Sequence, residues 1–349
     1  MASNKNITMK EFNGTDYDTL YPKTLDSQGL LTGSNITDYK VNTVGEALTL
    51  IYNSITLQNP LKLKVLDPSG AVVVGSNILS GSSTLGITNS NGEANIYVPQ
   101  GITSLTIQNT NGYANYNDTT IEIQSSWIGD GNYHEVSIGG LAENGIIRYT
   151  SSTQIKFSPS VKNVDACLVG GGGSGRGGYR DDIYSWPGGG SGGILNVFEI
   201  TTDSNTNYNI IVGGVGGNSS FMNNVATGGK NGANGGIGGT PNGLNGSAGG
   251  KTTGIGTDGQ SNTTISEFDD GVTFYGGSGA SGDKNTKRSG GTPHGGDGGY
   301  GTTDINKMKG SDATGYGGGG GGSMSAVGRS PDSAGHGYQG LVAIRVHYN

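Results

Sequence analysis

Carboxylates and one glycine-flanked lysine are the groups in this chain whose spacing could support catalysis. Adjacent carboxylates occur at Asp181-Asp182 and Asp269-Asp270, whereas glycan hydrolysis needs two carboxyl groups several ångströms apart around one bond. Adjacent residues rarely converge on one bond, so we expect no depolymerase. Gly249-Gly250-Lys251-Thr252 matches the end of a phosphate-binding loop only in part, because the pattern needs Gly where Asn245 stands.

Histidine and cysteine give no stronger signal for a reactive or metal site. The four histidines lie far apart, without metal-ligand spacing or a neighbouring nucleophile: His134, His294, His336 and His347. The single cysteine, Cys167, lies in an apolar run, where we expect a small buried hydrophobe. We therefore predict a protein that is not an enzyme and that has no cofactor and no metal.

Glycine dominates the composition. The chain has 349 residues, of which 70 are Gly, about one in five against roughly 7% in ordinary globular proteins. The net charge of -7 argues against nucleic acid and anionic membranes as partners, because both need a basic surface. No apolar run approaches the roughly 18 residues of a membrane span, and no secretory leader is evident, which indicates synthesis in the cytoplasm without membrane insertion.

The first half of the chain predicts three units. Residues 1–42 are polar, and we expect them to dock the chain onto a larger particle. Residues 43–56 carry apolar side chains at helical spacing behind a capping box at Thr43 and Glu46. This helix packs either on the neighbouring domain or in a short trimerisation bundle. Residues 57–125 alternate with period two between turn signals and predict a β-sandwich spacer.

Residues 126–349 predict a glycine-rich domain in which strands frame and interrupt long glycine tracts. Strand-like runs occur at 145–149, 154–157, 165–169, 193–200, 208–212 and 340–348. Apolar strands before, inside and after the tracts argue against disorder, because they would stay exposed unless they paired. We expect the glycine runs to form laterally packed helices of the polyproline-II type, here called polyglycine II. The fold class is thus mainly β, with a short N-terminal helix.

Two regions carry a resemblance to known proteins. The order from Val-Asp-Ala-Cys-Leu-Val-Gly-Gly-Gly-Gly (164–173), through Gly-Gly-Gly-Ser-Gly-Gly-Ile (188–194), to Gly-Leu-Val-Ala-Ile-Arg-Val (340–346) resembles the glycine-rich domain of phage tail fibres and adhesins. The opening residues 7–24 are similar to the start of tail-fibre and baseplate proteins of phages from low-GC Gram-positive bacteria. Residues 57–125 resemble transthyretin-like or carboxypeptidase-regulatory-like sandwiches.

The resemblance implies an elongated homotrimeric fibre of a phage tail or a tail-like bacteriocin particle. Its N-terminus would bind baseplate or tail proteins, and its glycine-rich domain would bind a bacterial cell-surface receptor, either a glycan or a surface protein. The alternative is a structural baseplate or fibre component that holds another adhesin. In both cases the mature protein belongs to the virion tail or to an extracellular particle.

Receptor contacts are expected where large side chains interrupt the glycine pattern, because loops on a rigid frame carry recognition. Aromatic rings beside carboxylates and amides suit glycan, since a ring covers the apolar face of a sugar. Three interruptions qualify, at 176–186, 267–275 and 283–300. The predicted contact residues are Tyr179, Arg180, Asp181, Asp182, Tyr184, Trp186, Phe268, Asp269, Phe274, Lys284, Arg288, His294 and Tyr300.

Overall fold

Short strands build residues 59–140. The computed structural model describes residues 59–232, 235–249, 253–262, 268, 275–329, 331 and 333–349. The first strands are β1 (Asn59–Leu66), β2 (Asn77–Ser80), β3 (Ser83–Ile87), β4 (Glu93–Val98), β5 (Ser104–Gln108), β6 (Tyr116–Asn117), β7 (Thr119–Glu122), β8 (Tyr133–Ser137) and β9 (Gly139–Gly140). They form sheets of order β4-β1-β8 and β3-β2-β5-β7, with β6 and β9 as a separate pair.

The three- and four-stranded sheets of this region pack on one core, and period-two alternation explains their strands. In β1, the apolar residues Leu61, Leu63 and Val65 face a shared core while the intervening lysines stay at the surface. The turn at residues 67–70 is held by the Asp67 carboxylate, which accepts the backbone N–H groups of Ser69 and Ala71 at 2.9 and 3.0 Å.

The sandwich extends further than the sequence predicts. β8 pairs in parallel with β1, and Val136 and Ile138 belong to the same core as Leu63. The boundary predicted at residue 126 is therefore wrong. A polar joint follows, in which the Tyr116 hydroxyl donates to Asp67 at 2.9 Å and Asn115 bonds Ser158 of the next domain.

Strands from both ends of the glycine-rich region form its main sheets. These strands are β10 (Ile146–Tyr149), β11 (Thr153–Ile155), β12 (Val161–Val169), β13 (Tyr184–Ser185), β14 (Ile194–Thr201), β15 (Tyr208–Ile211), β16 (Ser219–Phe221), β17 (Asn224–Ala226), β18 (Met324–Ser325) and β19 (Leu341–Tyr348). Their orders are β10-β19-β12-β14, β11-β15-β16-β17 and β13-β18. The two four-stranded sheets bury Phe157, Leu168 and Phe221 between them. The strands predicted at 145–149, 154–157, 165–169, 193–200, 208–212 and 340–348 are confirmed.

The glycine tracts are held by backbone hydrogen bonds that repeat every third residue. Along residues 186–194, successive N–H groups point to three neighbouring segments. Every third N–H returns to the same neighbour at 2.8–2.9 Å, with Trp186, Gly189 and Gly192 donating to Ser323, Gly320 and Gly317. Gly188, Ser191 and Ile194 likewise donate to Ser247, Leu244 and Pro241. A three-residue turn without internal hydrogen bonds is the period of a polyproline-II helix.

Close backbone packing explains why these tracts are glycine. A Cβ atom at Gly189 would clash with the carbonyl oxygen of Gly173, and one at Gly279 would clash with that of Gly320. Each tract satisfies its peptide groups through neighbouring tracts, which replaces the side-chain core that the composition cannot supply. The glycine-rich domain is therefore held together by hydrogen bonds between segments that lie far apart in sequence.

The chain is mainly β throughout the part that the structure describes. The helical element with described bounds is a single 3-10 turn at Ser125–Trp127. The helix predicted at 43–56 and the docking segment predicted at 1–42 lie outside the described residues. Among described helices, none is long and apolar enough to span a bilayer.

Candidate loop-end binding site

The glycine lattice has two ends, and the candidate residues divide between them. From β12 the chain enters the lattice at Gly170, and the pairings 170 with 193, 173 with 190 and 176 with 187 lead away from the strands. We call the far end, with residues 176–186, 283–289, 300–309 and 323–329, the loop end. The near end adjoins strands β12 and β19.

Among the predicted residues that the structure describes, the turn at residues 176–186 presents the most exposed aromatic ring. Tyr179 is 67% exposed, and its hydroxyl donates to the Asp181 carboxylate. This hydrogen bond and the negative charge of Asp181 both raise the pKa of the Tyr179 hydroxyl. Arg180 pairs with Asp182 at 3.0 Å and lies 4.4 Å from the centroid of the Tyr184 ring. The turn therefore offers an exposed ring flanked by ordered charged groups.

Trp186 packs beneath the Tyr184 ring and is buried, so it is not part of the surface of this turn. Its side chain is only 9% exposed, and its indole N–H donates to the Ser325 hydroxyl at 2.6 Å. The Tyr184 ring packs on it at 4.6 Å between centroids. Burial thus removes Trp186 from the predicted contact surface, because its polar atom is already used and its ring is covered.

Asp283 organises the second loop of this end. Its buried carboxylate accepts the backbone N–H groups of Asn285, Thr286 and Gly256 at 2.8–3.0 Å and pairs with Arg288 at 2.9 Å. Burial acts to raise its pKa, but these hydrogen bonds outweigh burial and bring the pKa to about 2. Arg288 is consequently held in an ion pair within the loop, where it stabilises the loop conformation.

Strand β18 is the point where the loops of this end meet. Ser325 pairs with Tyr184, and Met324 donates its N–H to the carbonyl of Met308 at 2.8 Å. Lys284 donates its backbone N–H to Gly254, and the N–H of Tyr300 bonds the Lys307 carbonyl at 2.7 Å. The side chains of Met308, Met324, Ala326 and Ile183 form a small core beneath these loops. The structure therefore brings Tyr179, Arg180, Asp181, Asp182, Tyr184, Lys284, Arg288 and Tyr300 to one end.

Exposed aliphatic side chains also lie on these loops and on the adjoining segment that Gly254 links to Lys284, and the sequence reasoning missed them. Ile255, Ile305 and Val327 are exposed, and the Arg329 guanidinium ties the Val327 turn to the Ile305 loop by bonding the Thr303 carbonyl. The sequence carried a signal for two of them, since Ile255 is flanked by glycines and Ile305 by Asp304 and Asn306.

Two of the other predicted residues, Phe268 and His294, do not join this site. Phe268 is fully buried against the sheet, where Arg345 lies 4.6 Å from its ring centroid, so it is a core residue rather than a receptor contact. His294 lies at the near end, 3.2 Å from the Thr314 hydroxyl, and partial burial lowers its pKa. Asp269 and Phe274 lie outside the described residues.

Reactive groups elsewhere are few in the described part of the chain. Cys167 is buried as predicted, and burial raises the pKa of its thiol to about 12, which leaves it unreactive. Across the described residues, no cluster of three or more His, Cys, Asp or Glu side chains is arranged to hold a metal ion.

Comparison with known families fits this architecture. The model of the glycine-rich domain family matches residues 148–347, which is more than half of the chain. The chain therefore belongs to this glycine-rich domain family. No curated protein matches it.

Proposed function

We propose that this chain is a receptor-binding protein of a phage tail or a phage-tail-like particle and that its loop end contacts a bacterial cell-surface receptor. The observation that carries the proposal is the Tyr179 turn. A mostly exposed ring, flanked by the Arg180–Asp182 pair, stands on a lattice fixed by backbone hydrogen bonds. Exposed rings on a rigid frame lose little conformational entropy on binding, which favours recognition.

Glycan is the receptor class that this turn fits best within the proposal. The Tyr179 ring offers an apolar face of the size of a sugar ring, and the neighbouring charged groups can bond hydroxyls. A weak single site is adequate, because several copies on one particle multiply attachment through effective concentration.

The resemblance supplies the rest of the proposal. By it, the N-terminus binds baseplate or tail proteins, three copies form a fibre, and the polyglycine-II lattice serves as the rigid adhesin tip. The protein acts on the outside of a particle and performs no catalysis. The hydrogen-bond period of residues 186–194 supports the lattice.

The proposal is tested with loop-end variants. Tyr179→Ala removes the exposed ring, and we expect binding of the fluorescently labelled protein to host cells to weaken about tenfold, as stacking on an aromatic residue contributes roughly 1–2 kcal/mol. Tyr97→Ala removes a similarly exposed ring from the sandwich and should leave binding unchanged. Equal binding by both variants and the wild type would reject the Tyr179 turn as the contact.

A deletion separates an adhesin from a structural component. Particles that carry a chain without residues 170–340 should assemble but fail to adsorb to host cells. Incomplete particles would instead favour the alternative, a baseplate or fibre component that holds another adhesin.

A further inference from the structure

The outer face of the β11-β15-β16-β17 sheet carries exposed aliphatic side chains, although the inner face already covers the core. Ile210 and Phe221 point inward and are buried. Their neighbours point outward: Ile211 is 50% exposed and Val225 is 42% exposed. The strand register aligns both with Ser220, so the three residues form one row across β15, β16 and β17. Val215 and Met222, in the loops that connect β15 to β16 and β16 to β17, are also exposed.

This surface also lacks charge. Residues 204–229 contain no Asp, Glu, Lys or Arg, and neither do residues 149–155, which include β11. The polar groups on the strands are amides and hydroxyls, such as Gln154 and Asn209, whose side chains bond each other at 3.1 Å. We call this surface the uncharged face. Loss of charged residues is the compositional mark of an interface core.

We propose that the uncharged face is the contact through which copies of this chain associate. Each copy carries a net charge of -7, so copies repel wherever charged surfaces meet. A charge-free surface avoids that cost. Side-chain amides both donate and accept hydrogen bonds, so a surface rich in them is complementary to a second copy of itself.

The exposed aliphatic row supplies the attraction. Burying the Ile211 and Val225 side chains of every copy removes apolar area from water, and their spacing across Ser220 places them on one continuous surface. The inference rests on the oligomer included in the proposed function but does not depend on a receptor.

The mass of the full-length chain in solution tests the contact. We expect the wild type to form an oligomer in light scattering coupled to gel filtration, and the Ile211→Asp/Val225→Asp variant to shift to the monomer mass. The matched control is Val74→Asp/Ile87→Asp, which changes two similarly exposed aliphatic residues of the sandwich and should keep the wild-type mass. A monomeric wild type, or a double variant that keeps the wild-type mass, would overturn the inference.

Maleimide labelling of an introduced cysteine tests the same contact if the aspartate variant does not fold. Cys167 is buried and should not react with maleimide, so Val225→Cys introduces one accessible thiol per chain. We expect its labelling to be slow in the oligomer and to accelerate on dilution, whereas Ile87→Cys labels at one rate throughout. Equal rates for the two cysteines at high concentration would overturn the contact.

Cell binding separates this inference from the proposed function. A monomeric double variant that still binds host cells, more weakly through lost multivalency, supports both. An oligomeric wild type whose mass falls as predicted, but which never binds cells, supports the contact alone.

Discussion

Asp283 shows how one buried carboxylate orders a binding loop. It accepts three backbone N–H groups and the Arg288 guanidinium, so each would lose its partner if the carboxylate were removed. Burial acts to raise the pKa of this acid, and the hydrogen bonds from these donors outweigh burial and lower it.

Replacement of this carboxylate should destabilise the loop end. For Asp283→Ala we expect a loss of about 2–3 kcal/mol in the free energy of unfolding, since hydrogen bonds to a charged group are broken and Arg288 loses its partner. Asp182→Ala breaks the exposed pair with Arg180 and should cost at most about 1 kcal/mol. Denaturant titration of both variants measures the difference, and equal losses would contradict the role given to Asp283.

The same carboxylate predicts an acid effect. Its pKa is lower in the folded chain than the ordinary value of 3.8, so its contribution to stability is complete above that value and is lost as the pH falls towards about 2. Asp283→Asn should flatten this part of the stability profile. A wild-type slope retained in the variant would assign the acid effect to other groups.

At the scale of elements, the lattice depends on the absence of side chains. Gly189→Ala places a methyl group against the Gly173 carbonyl, where both partners are backbone and neither moves easily. We expect about 3 kcal/mol of destabilisation, as in overpacked cores. Gly214→Ala is the control, since a Cβ there meets nothing within 4 Å. Comparable thermal unfolding of the two variants would contradict a lattice held by close backbone contact.

The local sequence pattern predicted the strands better than it predicted which strands pair with each other. The alternation of β1 and the apolar runs of β12, β14 and β19 gave the strands, and the glycine runs gave the lattice. The parallel pairing of β8 with β1 was missed, because it joins residues about 70 positions apart and depends on shared burial around Val136.

The candidate site was only partly accessible to sequence reasoning. The turn at 176–186 was found because large side chains stand out among glycines. Burial of Trp186 and Phe268 could not be read from the sequence, since it follows from the position of Ser325 and of strand β19 in the fold. The hydrogen-bond pairings of the lattice likewise place Lys284 and Tyr300 at the loop end but His294 at the near end, which the sequence does not show.

At the scale of the whole molecule, the last strand closes the domain. β19 lies between β10 and β12, and His347 links it to both flanking regions by bonds to Asp165 at 2.8 Å and Glu143 at 3.1 Å. Partial burial acts to lower the pKa of His347, but the two carboxylates outweigh burial and raise it. Arg345, which lies on β19 like His347, is 3.5 Å from the Asp165 carboxylate on β12.

This closure predicts a loss of stability at alkaline pH. Because the folded-state pKa of His347 is raised, its contribution is complete below the ordinary value of 6.5 and is lost as the pH rises through the folded value. Between about pH 6 and pH 9, the melting temperature of the wild type should fall more than that of His347→Gln. His336→Gln, at an exposed histidine, should behave as the wild type. Parallel profiles for His347→Gln and the wild type would contradict the closure.

Attachment to a bacterial surface is the central claim, and one binding measurement tests it most directly. The purified full-length protein, fluorescently labelled, is titrated onto intact host cells and onto cells stripped of surface polysaccharide or of surface protein. The proposed function predicts saturable binding to intact cells and its loss on removal of polysaccharide. Absence of binding to intact cells by the folded oligomer would contradict the claim and favour a structural role.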